Sequence, residues 1–202
     1  SDYKYGVHTV VKGSRVEAEN GKANVSANEN NGFREGGLSI GVGAAGAYGS
    51  VTKLKEKHQM DVTVQNSTIS SKESSVTATR GNIGEGNYVH SRLGSITVGS
   101  GTSAWGSVTS EGNTGIVVED SNIISKAGKT TINAMDNTTN KTVASGLNLI
   151  GVNLISYNDA ITENNSSVSV NLNSTNDRQY KLAGTEGVEA TATKSNETSA
   201  ER

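Results

Sequence analysis

Apolar, mostly β-branched residues recur along the chain at intervals of about seven: Val62, Ile69, Val76, Ile83, Val89 and Ile96 lie seven, seven, seven, six and seven apart. The spacing returns at Ile116 and Ile123, and again at Leu154, Ile161, Val168, Thr175 and Leu182. A heptad coiled coil would place a second apolar residue three or four positions after the first, but those places hold Gln65, Lys72 and Thr79. The second apolar residue comes at two, as in Val62/Val64, Val76/Ala78, Ile96/Val98, Ile116/Val118, Ile132/Ala134 and Val168/Val170. Period two is that of a strand with one buried face. Each unit is therefore a strand of about three to five residues closed by a polar corner of Asn, Gly, Ser or Asp. Three units, about 21 residues, predict one triangular coil of a parallel β-helix whose coils stack at about 4.8 Å.

That reading predicts about ten coils, forming a rod of roughly 45 to 50 Å. It sends Val62, Val64, Ile69, Val76, Ile96, Ile116, Val118, Ile123, Ile132, Val168 and Val170 into the core. A longer repeat of about 55 residues overlies the short one. "VTVQNSTISSK" at 62–72 matches "IVVEDSNIISK" at 116–126 without a gap, and "VTA" at 76–78 matches "INA" at 132–134. Before these, "GLSIGVGAAGAYGSVT" at 37–52 matches "GSITVGSGTSAWGSVT" at 94–109 and returns as "GLNLIGVNLISYNDAI" at 146–161. The modules fall at about 37–93, 94–145 and 146–192 of one segment, 1–192, with the Gly-rich stretches as extra strands or hairpins.

The alignment puts Tyr48, Trp105 and Tyr157 in equivalent places, either packed over the Gly-rich strands or displayed as surface platforms two to three coils apart. Asn66 and Asp120 are also equivalent and suit turn or left-handed backbone. The tail at 193–202 has no apolar anchor, so fraying is expected there.

Composition agrees with a thin fold. The chain is 32% hydrophobic and 4% aromatic, with Gly 24, Pro 0 and Cys 0, too little apolar material for one large isotropic core. Lack of Pro suits inner strands that donate every ladder hydrogen bond. Lys+Arg 18 against Asp+Glu 20, without a concentrated basic surface, argues against a nucleic-acid partner. No apolar run reaches the ~20 residues of a transmembrane segment. The chain opens at Ser1 without a signal-peptide pattern and reads as a segment of a longer polypeptide.

At its repeat motifs the sequence resembles the repeat regions of filamentous haemagglutinin-like secreted exoproteins of Gram-negative bacteria, which join "S-x-I-x-S-K" and "V-x-A" strands to Gly-rich "G-L-S-I-G-V-G-A" segments. Within that group it is similar to the leukotoxin-type filamentous adhesins in its Asn/Thr/Lys-rich texture and the "GLNLIGVNLISYNDA" stretch. The resemblance implies a right-handed parallel β-helix, export through an outer-membrane secretion partner to the outer surface or beyond, and binding to host-cell surface proteins or glycans. With no Pro, the chain lacks the Asn-Pro-rich secretion motif of that group's N-terminal domain, so an internal shaft segment is expected.

Chemistry is sparse. His8, His58 and His90 are scattered and read as surface residues, and Asp61, Asp120, Asp136, Asp159 and Asp177 are far apart with no shared context. No catalytic residue, cofactor site or metal site is assigned. Glu119, Asp120 and Asn122 carry oxygen ligands for calcium, but the Gly-rich nonapeptide of calcium β-rolls is missing, and a solvated corner is expected. Two other readings compete with an adhesive shaft. A solenoid polysaccharide-active enzyme would need carboxylates converging on a groove, and a trimeric autotransporter head would need shorter coils of about 14 residues.

Overall fold

The computed structural model describes residues 1–82, 84–175 and 180–202, and for 148–155 the backbone alone. Ile83 and the side chain of Leu154, both used in the spacing argument, and Asp177, named among the scattered carboxylates, lie outside the described residues. Every described regular element is a strand: β1 (Asp2–Lys12), β2 (Arg15–Asn30), β3 (Arg34–Gln65), β4 (Thr68–Gly81), β5 (Asn87–Glu119), β6 (Asn122–Ser125), β7 (Thr130–Asn173), β8 (Leu182–Gly184) and β9 (Val188–Glu201). They form one open sheet in which every pairing is parallel, with β1-β3-β5-β7 side by side, β2 on β4, β4 on β6 and β7, β6 on β8, and β7 on β9. No helix among the described residues is long and apolar enough to cross a membrane.

The register corrects the expected coil of about 20 residues. Lys22 pairs with Glu73 and Ile123 with Leu182, so parallel partners stand 51 to 59 residues apart, and through β3 and β5 the separation is 54, as in Val62↔Ile116. The module repeat is thus the rung itself, and β1, β3, β5 and β7 stack four rungs where about ten were expected.

The 21-residue triangle is nevertheless present, as one lobe of each rung. Val62, Val64, Ile69, Val76 and Ala78 of one rung stack on Ile116, Val118, Ile123, Ile132 and Ala134 of the next, all of them buried. Val168 and Val170, at the end of the stack, are half-buried against the same cluster. One corner of this lobe repeats on three rungs. Gly13, Asn66 and Asp120 have φ of 59°, 49° and 48°, the left-handed region that Asn and Asp tolerate better than other side-chain-bearing residues. The serine that follows bonds back across each turn, Ser14 Oγ to Lys12 O (2.8 Å), Ser67 Oγ to Gln65 O (2.7 Å) and Ser121 Oγ to Glu119 O (2.7 Å). Ser14 N and Ser67 N in turn donate to the serine Oγ one rung on, at 3.1 and 3.0 Å.

The other lobe is flat and closed by the Gly-rich segment, which lies within the rung and not as an extra strand or hairpin. Its two limbs pack through small clusters: Leu54, Val89 and Val108, and then Leu93, Ala104, Ala144 and Ala160. Where the limbs converge, Ser95 Oγ and Ser100 Oγ meet at 3.1 Å on the β5 rung, and on the β3 rung the glycines opposite them, Gly41 and Gly46, leave room for the Tyr48 ring. Leu93, Ser95 and Thr97 therefore face inward, and Ile96, expected in the core, faces outward. The tail also departs from expectation, because β9 pairs with β7 as far as Glu201. Backbone ladder bonds need no apolar anchor.

Candidate functional site

Three features stand out, one inside the rung and two on the outer faces of the flat lobe. The interior feature is an ionic cluster at the junction of the lobes. Arg80, from the triangular lobe, reaches Glu56 at 2.6 Å and Asp136 at 3.0 Å through Nη2 and Nη1, and its Nε donates to Tyr5 Oη at 3.0 Å. Ser110 donates to Glu56, Thr138 to Asp136, and His58 Nδ1 lies 3.1 Å from Glu56 Oε1. Glu56, Arg80 and Asp136 are at most 1% exposed.

Burial alone would push the Glu56 carboxyl up, but hydrogen bonds from His58 and Ser110 and the Arg80 charge outweigh it and hold it below its ordinary value. Burial likewise opposes ionisation of Asp136, and hydrogen bonds from Ser166 and Thr138 together with Arg80 bring it below the usual range. Burial pushes the Tyr5 phenol up. Gly112 closes this region. Its φ is +148°, and a Cβ there would collide with the His58 carbonyl oxygen.

These contacts correct two expectations. His58 is buried in place of lying on the surface, and Asp136 shares a tight context with Glu56 despite their separation in sequence. Of the other groups, His8 Nδ1 lies 2.5 Å from Asp61, His90 Nε2 accepts from Arg92 Nε at 2.7 Å, and Asp159 accepts from Arg202 at 2.9 Å. Burial first and then the Arg92 charge hold the His90 imidazole below its ordinary value.

The calcium ligand set is otherwise engaged. Asp120 is buried and accepts from Thr175 N at 2.8 Å, Glu119 accepts from Gln65 Nε2 at 2.8 Å, and Asn122 Oδ1 accepts from Lys181 N at 2.8 Å. The expected solvated corner is therefore, at Asp120, a packed one. Among the described residues no group of three or more His, Cys, Asp or Glu could hold a metal ion.

The three aromatics do not occupy equivalent places. Tyr48 stands beside Thr102, Trp105 beside Val51 and Asp159, and Tyr157 beside Ser103. Matching "GSVT" with "GSVT" slides the Gly-rich segments three residues out of the true register, in which Gly49 meets Ser103. Tyr48 points inward against the Leu93/Ala104 cluster, and a Cβ on Gly41 would collide with its ring. Trp105 and Tyr157 point outward on neighbouring rungs, two positions out of step. Diagonal neighbours of that kind lie about 7–8 Å apart, within reach of each other's rings, so they form one patch instead of a row spaced by several coils.

Around Trp105 lies a cleft of about 340 Å³ lined by Lys53, Lys55, Ser107, Thr109, Ile161 and Glu163, among others. Lys53 Nζ sits 4.6 Å from the Trp105 ring centroid, a cation–π contact. Tyr157 is 60% exposed. Rings beside hydroxyl, amino and carboxylate groups can stack on a sugar and hydrogen-bond its hydroxyls.

The opposite face of the flat lobe is aliphatic. Leu38, Ile40, Val42, Ile96, Val98 and Leu147 project outward there, with Leu38, Val42 and Val98 70%, 71% and 76% exposed. Ile40 stands beside Gly94, Gly94 beside Leu147, and Val42 beside Ile96, so the stripe runs across three rungs. Alternation alone could not assign this face, because apart from Leu93 the buried positions behind it are small or polar, as at Gly41, Ser95 and Thr97.

No family model matches the chain, and no curated protein or solved structure does.

Proposed function

We propose that this chain is a shaft segment of a large secreted bacterial surface adhesin of the filamentous haemagglutinin-like or leukotoxin-like kind. In this reading the open parallel stack is a right-handed β-helix, the hand that parallel crossover connections overwhelmingly adopt. The full-length protein would reach the Gram-negative cell surface or exterior through an outer-membrane secretion partner. There the shaft would mediate or present binding to a host-cell glycan or surface protein.

The observation that carries the reading is the stack itself. One unit is laid on its own repeat in register, a construction that extends by adding rungs and offers continuous lateral faces. The Trp105/Tyr157 patch is the part of those faces best suited to a glycan, since aromatics dominate binding where energy concentrates.

The test is binding of the immobilised chain to a glycan array and to host cells, comparing the native chain with Trp105→Ala and Tyr157→Ala. Loss of about tenfold or more in either variant, with an unchanged melting curve, supports the proposal. Equal binding by the double variant removes the patch, and failure of the folded native chain to bind cells or glycans removes the adhesive reading.

A further inference from the structure

We infer that the aliphatic face of the flat lobe pairs with the same face of a second copy of this chain, about a two-fold axis that runs parallel to the stack and passes over Val42 and Ile96. Such an axis reverses strand direction across the interface and keeps rung opposite rung, so a residue two positions before the axis meets one two positions after it. Val42 then meets Val42, and Ile96 meets Ile96. Ile40 meets Ala44, and Val98 meets the hollow that Gly94 leaves between Ile40 and Leu147. On both rungs a large side chain falls opposite a small one, the self-complementarity that an isologous interface requires.

Area and charge favour the same occupant. A Val, Leu or Ile side chain offers on the order of 100 Å² of apolar surface, so the six exposed residues present on the order of 400 Å² per copy. Two copies would cover on the order of 800 Å², the non-polar half of an interface of about 1,600 Å² in total. Arg92, the cation within the stripe, lies four residues from the axis. The two copies of it would be separated by eight residues of strand, about 26 Å, and do not repel at contact.

Sedimentation velocity of the chain across the micromolar range tests the pairing, with vesicle flotation on anionic and neutral lipid run beside it. The expected result is a concentration-dependent dimer that Ile96→Glu weakens by about tenfold or more. Val10→Glu, an exposed apolar site on the triangular lobe, should leave it intact. Because Ile96 meets its own copy, Ile96→Glu mixed with Ile96→Lys should restore a heterodimer that neither forms alone. Unchanged thermal melting of these variants separates lost pairing from lost folding, and Gly94→Leu, which fills the hollow, gives a second reading. A chain that stays monomeric throughout overturns the inference, as does a dimer indifferent to Ile96→Glu. So does a monomer that floats with vesicles through this stripe, which would assign the face to a membrane surface.

Discussion

Without Arg80, Glu56 and Asp136 would be left inside the protein as uncompensated carboxylates. Breaking a buried pair from one side costs about 3–5 kcal/mol, so Arg80→Ala should lower stability by that order in urea unfolding. Arg80→Met with Glu56→Gln and Asp136→Asn, which removes all three charges together, should recover much of the loss. The same cluster sets the response to acid. Both carboxyls titrate lower when folded than when unfolded, so their stabilisation is complete above the unfolded values of about 4 and disappears as pH falls through the lower folded values. The melting temperature should therefore drop steeply below about pH 4, and Glu56→Gln should flatten that drop when melting is followed across the pH series.

Among the elements, the corner between β3 and β4 isolates backbone conformation from packing. Asn66, at φ 49°, should accept Gly with little change, whereas Asn66→Val forces a β-branched residue into left-handed backbone. A loss of at least about 1–2 kcal/mol is expected, read as a shift in denaturation midpoint at constant slope. This corner was legible in advance, because Asn66 and Asp120 fell at matching places in a gapless alignment and both residue types tolerate that backbone. The triangular lobe was legible for a related reason: it alternates apolar with polar, and 62–72 against 116–126 is the true rung register. The flat lobe hid itself. Near its tip most inner positions are Ser, Thr, Ala or Gly, with Leu93 and Tyr48 among them, while the outer ones include Leu38, Ile40 and Val42, so the rule that apolar residues face inward assigns that part backwards. Repeated "GSVT" then set Tyr48, Trp105 and Tyr157 in a false alignment, and nothing local in sequence could join Arg80 to Glu56 and Asp136.

At the scale of the whole molecule the stack should unfold as a cooperative unit wherever its narrow core runs without interruption. Val118, 3% exposed, stands beside Val64 in the middle of the triangular core. Val118→Asp should cost several kcal/mol by placing an unpaired charge there. Val10→Asp on the exterior of the same lobe should change stability by no more than about 0.5 kcal/mol. Far-ultraviolet circular dichroism melts of the two variants measure the contrast, and comparable losses would show that the core register is misassigned.

The 54-residue step between rungs also governs how quickly the molecule can assemble. In a helix bundle most contacts join near neighbours, but here nearly every ladder bond joins segments about a quarter of the chain length apart, beyond the relative contact order of about 0.16–0.22 found in slow all-β domains. The first docking of one rung on another must close a loop of that size before any ladder bond repays the entropy. Once two rungs lie in register, the exposed edge is a ready template, and each later turn is laid on a surface that already exists. Folding therefore has a slow initiation and a fast elongation, like growth from a seed, and a chain emerging end first can begin from whichever pair of rungs appears first.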